Sequence, residues 1–181
     1  AGRVIDASGA PVAGVTVYLR QSARSAHGDT GSPVNWLDLA RTNTEQQGRF
    51  AFTDVLDHKD GRVNPAYDVV AFKTGFAISW KHVRPKQAVS DIKLTLKAPA
   101  AVSGLVRAVS GQPLPGARVT LKHLMSIRHI TQADLEEGRW PSWGDARFAS
   151  FHGFRKAPET TTDESGRFEL AGLVPGSGVF L

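Results

Sequence analysis

Five aromatic rings and three arginines crowd one stretch of this chain. Trp140, Trp143, Phe148, Phe151 and Phe154 lie among Arg139, Arg147 and Arg155. Aromatic rings interleaved with arginines stack on sugars or bases, or anchor a protein interface. Charge decides part of this. Residues 122–159 carry six basic and five acidic groups, too nearly balanced to neutralise a nucleic-acid backbone. Against a contact surface stands packing, since so long an excursion needs a small core of its own and the rings can supply it. Trp36 poses the same choice in an earlier insert. Three histidines share the long stretch, His123, His129 and His152, but their spacing matches no compact metal motif. Asp57–Gly61 and Asp163–Gly166 offer oxygen ligands without the spacing of a calcium loop, so both read as polar turns. No His-x-x-Glu pair occurs, and without cysteine there is no thiolate site or disulfide framework. No cofactor is implied.

The elements that must position these residues are written twice. Residues 2–19 reappear as residues 104–121 at a constant offset of 102, with glycines, a proline and alternating aliphatics in matching places. Residues 44–52 reappear as 162–170 at an offset of 118. The slip of 16 is the difference between two inserts, 22 residues over 20–41 and 38 residues over 122–159. A duplicated unit is usually scaffold. The repeat predicts two domains, 1–98 and 99–181, joined by a short linker at 97–101.

Within the first copy, Arg3–Asp6 reads as a strand. Val15, Val17 and Leu19 alternate with Thr16, Tyr18 and Arg20, a period of two that puts one face on a core. The spacing predicts an irregular insert, then a hairpin from Thr42–Thr44 through a Gly48 turn to Arg49–Thr53, then strands at Tyr67–Lys73, Ile78–Val83 and Ile92–Leu96. About seven short strands suit a sandwich of two antiparallel sheets. In the second copy, Thr131–Asp134 resembles a capping box and Gly138 would end the helix it starts. The chain reaches Leu181 before anything matching residues 67–96. The second sandwich is therefore expected to be incomplete here, closed by further chain or by a partner.

Composition agrees with an all-β protein rich in turns: 18 Gly, 10 Pro and 41% hydrophobic residues among 181. The net charge is only +5, with much of the excess on Lys73, Lys81, Arg84, Lys86, Lys93 and Lys97. That pattern reads as a solvated sheet face, with an anionic polysaccharide or membrane surface as the other reading. No run approaches the roughly 18 apolar residues that span a bilayer.

At these residues the chain resembles the carboxypeptidase regulatory-like domain, a seven-stranded transthyretin-like sandwich. The family pattern is a G-x-V strand, a turn, P-x-x-G-A/V-x-V-x-L, then T-D-x-x-G-x-F/Y-x-F/L, then Y-x-V-x-A-x-x-x-G-F/Y. Residues 2–19, 44–52 and 67–76 match it, as do 104–121 and 162–170. The resemblance implies two tandem copies acting as a noncatalytic structural or interaction module of a larger exported bacterial protein. Its partners would be neighbouring domains or another protein, with polysaccharide binding by the insert aromatics as the rival. Intradiol ring-cleavage dioxygenases are similar in the same motifs. Their ferric site needs two tyrosines and an H-x-H element, whereas the only tyrosines here are Tyr18 and Tyr67 and no H-x-H exists. Lysine–asparagine crosslinks of the kind some adhesin repeats form are also not expected, since neither first strand holds a lysine.

Overall fold

The computed structural model describes residues 1–23, 35–53, 66–83, 91–127, 146–151 and 157–181, and every regular element among them is a strand. In the first copy, β1 (Gly2–Asp6) lies between β4 (Arg49–Phe50) and β7 (Ile92–Leu96). A second sheet runs in the order β3 (Asn35–Asn43), β2 (Thr16–Ala23), β5 (Ala66–Phe72), β6 (Ser79–Val83). The two enclose a core of Val4, Val17, Leu19, Phe50, Val69, Ala71, Ile92, Leu94 and Leu96. These are the alternating positions of their strands, and each fully buried aliphatic contributes about 1.5–3 kcal/mol.

Three expectations change. β1 and β7 pair in parallel, with Gly2 opposite Ile92 and Asp6 opposite Leu96, so the sheets are not wholly antiparallel. No hairpin joins these two strands, and nothing therefore forces opposite directions. The Gly48 turn is tight, with Gly48 N–H donating to Glu45 O at 2.8 Å, but its two arms enter different sheets: β3 pairs β2, while β4 pairs β1. Gly48 sits at φ 69° against the Val4 carbonyl, where a β-carbon would collide, and Val4 N–H donates to Gly48 O. That close approach pulls the chain across to β1. Third, residues 20–41 are not irregular throughout. β2 and β3 extend into the insert to Ala23 and from Asn35.

In the second copy the strands are β8 (Ala100–Leu105), β9 (Arg118–Thr120), β10 (His123–Ile127), β11 (Ala146–Ser150), β12 (Glu159–Thr161), β13 (Arg167–Leu173) and β14 (Ser177–Phe180). The hydrogen-bond scheme recurs. Gly104 stands opposite Phe168 as Gly2 stands opposite Phe50, and Val106 N–H donates to Gly166 O as Val4 does to Gly48. Thr44 and Thr162, both buried, play one role twice. The Thr44 hydroxyl donates to Val12 O and accepts from Val15 N–H; the Thr162 hydroxyl donates to Leu114 O and accepts from Ala117 N–H. β14 pairs antiparallel with β10 as β5 does with β2, so one strand that the sequence left unmatched is present in short form. The Val174–Ser177 turn, closed by Ser177 N–H donating to Val174 O, returns the chain along β10. The helix expected at 131–138 lies outside the described residues.

Candidate functional site

The outward face of the β3-β2-β5-β6 sheet is where the molecule departs most from its sequence pattern. Tyr18, on β2, stands opposite Val70 on β5, and Val70 opposite Trp80 on β6. Alternation points this row away from the first core. Yet Tyr18 is 8% exposed and Val70 1%, and both belong to a second apolar cluster with Ile78, Leu121, Leu124, Phe151, Leu170 and Leu173. Phe72 and Trp80 pack against the same cluster from the first copy, and Val102, Phe168, Val174 and Val179 from the second. Ile78 N–H also donates to Gly172 O at 3.1 Å. The sheet thus packs apolar residues on both faces. Its inner face fills the first core, and its outer face joins the core of the second copy.

One rung further along, the outer face carries charge. Arg20 stands opposite Asp38 on one side and Asp68 on the other. Its Nε–H donates to Asp38 Oδ1 at 2.9 Å, while Arg20 and Asp68 are each only 1% exposed. A register shift between Leu19 and Arg20 skips Leu39 and brings Asp38 level with the arginine. Burial lowers the Arg20 pKa from the ordinary guanidinium value, and the two aspartates oppose that, chiefly Asp38. The two buried groups, Arg20 and Asp68, are of opposite sign, so the covered part of this rung carries no net charge, while Asp38 remains exposed. Nothing in the sequence distinguished Arg20 from a solvated strand residue.

The insert residues are distributed as follows. Phe151 is 2% exposed in the second cluster and so serves packing. Arg147 and Phe148 lie on β11, opposite Ser126 and Met125 of β10. Trp36 lies on β3 opposite Ser22. Trp140, Trp143, Phe154, Arg139 and Arg155, with His129 and His152, lie outside the described residues, and His123 stands on β10 between Ser150 and Phe180. Among the described residues no group of three His, Asp or Glu side chains is placed to hold a metal ion, and no helix is long and apolar enough to cross a membrane.

Comparison with known proteins gives little. No family model matches the chain, and no curated protein does. Among solved structures it is distantly similar to the shaft pilin spaA of Lactobacillus rhamnosus GG, at 15% identity over 95% of this chain and 80% of that one, with a TM-score of 0.39. It is also distantly similar to a streptococcal ancillary pilin, at 14% identity over 98% of this chain and 56% of that one, with a TM-score of 0.31.

Proposed function

We propose that this chain is a noncatalytic structural module of a larger exported bacterial protein. In this reading it comprises two transthyretin-like units of the carboxypeptidase regulatory-like kind, residues 1–98 and 99–181. Its task is to hold neighbouring parts of that protein, or a protein partner, at a fixed separation. The observation that carries this is the apolar cluster shared by both copies. A spacer needs its units locked together, and a shared core resists bending in a way that a polar linker cannot. The short 97–101 segment adds little slack. Contacts with partners fall to the inserts, where the two copies differ most.

Amide 15N relaxation of residues 1–181 tests the proposal. A locked pair gives one overall correlation time for strand amides in both copies. Two separate correlation times would refute the spacer role.

A further inference from the structure

The two sheets of the first copy treat surface charge in opposite ways. On the four-stranded sheet the signs of Asp38, Arg20 and Asp68 alternate across the strands. On the three-stranded sheet one rung is entirely cationic: Arg3 of β1 stands opposite Arg49 of β4 and also opposite Lys93 of β7. All three side chains are exposed. Strands lie about 4.8 Å apart, so three positive charges share a rung about 10 Å long. Like charges directly opposed across strands are destabilising. None of the three forms an ion pair among the described residues. Arg3 Nε–H donates to the Gln47 carbonyl at 3.0 Å, which orients the guanidinium and leaves its terminal nitrogens uncommitted.

The rung lines a concavity of about 800 Å³, together with Ile5, Glu45 and Asp91. It is not part of the repeated scaffold. At the equivalent rung of the second copy Leu105 stands opposite Arg167. A cationic rung found in one copy only, without an ion pair among the described residues and set in a concavity, is an arrangement that an anion would relieve.

We propose that Arg3, Arg49 and Lys93 form a binding site for clustered carboxylate groups. Each guanidinium presents a planar fork that matches a carboxylate with two parallel hydrogen bonds, and the ammonium adds a third positive charge. Glu45 and Asp91 reduce the local sum to +1. That suits a ligand with a few carboxylates better than a phosphate polymer, whose binding grows with each phosphate neutralised. The site does not depend on the spacer role, since none of its residues belongs to the shared cluster.

The test is a 15N-detected titration of residues 1–181 with citrate, polygalacturonate and inorganic pyrophosphate, repeated on the double variant Arg49→Gln/Lys93→Gln. Citrate or polygalacturonate should shift amides of β1, β4 and β7 saturably. Affinity should fall about tenfold or more in the double variant, as expected when charge-assisted hydrogen bonds are lost, and should fall again with added salt. Tighter binding of the polymer would identify an acidic polysaccharide as the source of the carboxylates, and binding of citrate alone a free polycarboxylic acid. Both side chains are exposed, so the variant should fold, with a Tm no lower than that of the parent because the repulsion is relieved. The proposal is overturned if neither carboxylate probe gives saturable shifts at millimolar concentration. It is also overturned if the variant binds equally well, or if pyrophosphate binds and the carboxylates do not.

Discussion

Val70→Ala probes whether the outer face of the four-stranded sheet is core. Val70 is 1% exposed and lies in the cluster that joins the two copies; its neighbour Val69, 0% exposed, points into the first core. Truncation removes two carbons at about 0.8 kcal/mol each. The space left behind adds to that, for a total of about 2–3 kcal/mol. Were the outer face solvated, as plain strand alternation predicts, the same change would cost within about 0.5 kcal/mol. Urea unfolding followed by tryptophan fluorescence measures the difference, with an unchanged m-value confirming that the folded state is the same. Val70→Ala and Val69→Ala should cost the same within about 1 kcal/mol, both being ordinary core truncations. A loss below about 0.5 kcal/mol for Val70→Ala alone would refute the covered face.

Arg20→Met should destabilise the chain by about 3 kcal/mol, because Asp68 loses its cross-strand counter-charge while half-exposed Asp38 can turn to water. Adding Asp68→Leu should restore most of the loss in the same urea assay; no recovery would mean that the pair is not coupled. Thr44→Val removes the acceptor of Val15 N–H and the donor to Val12 O, and should cost about 1–3 kcal/mol. Thr162→Val should do the same in the second copy, and a loss at only one site would deny that the two threonines share a role. Acid should weaken the fold through two turns. The Asp6 carboxylate is held below 3.8 first by the Ser8 hydroxyl and that of Asp163 first by the Ser165 hydroxyl, with backbone amides adding to each. A lowered folded pKa means that the contribution is complete above pH 3.8 and disappears as pH falls through the folded value. Tm should therefore decline below about pH 4, and Asp6→Asn/Asp163→Asn should flatten that decline.

Residue types carried the scaffold well wherever a position answers to its own neighbourhood. The paired Gly48/Gly166 and Thr44/Thr162 positions repeat because a close backbone approach and a buried amide demand those residues at both places. Val17 and Leu19 were legible as core from alternation. The same alternation left Tyr18 and Arg20 on the opposite face of β2, with no sign that this face is covered as well. Periodicity tells which residues share a face, not whether a distant part of the chain will cover that face. Val70 held the available clue: Asp68–Ala71 is a run buried on both faces, and a sheet covered on one side only would place polar residues at alternate positions. The cationic rung was hidden for a different reason. Arg3, Arg49 and Lys93 are far apart in the chain, and only the parallel pairing of β1 with β7 brings them level. Among the insert aromatics, Phe151 lies buried in the second apolar cluster.

One apolar cluster joins residues of both copies, from Tyr18, Val70 and Ile78 to Leu121, Leu124, Leu170 and Leu173. Methyl and aromatic NOEs on residues 1–181 test it most directly. NOEs should link Val70 and Ile78 to the Leu121, Leu124, Leu170 and Leu173 methyls or to the Phe151 ring. If Val70 and Ile78 show NOEs only to residues of the first copy, the shared core does not exist.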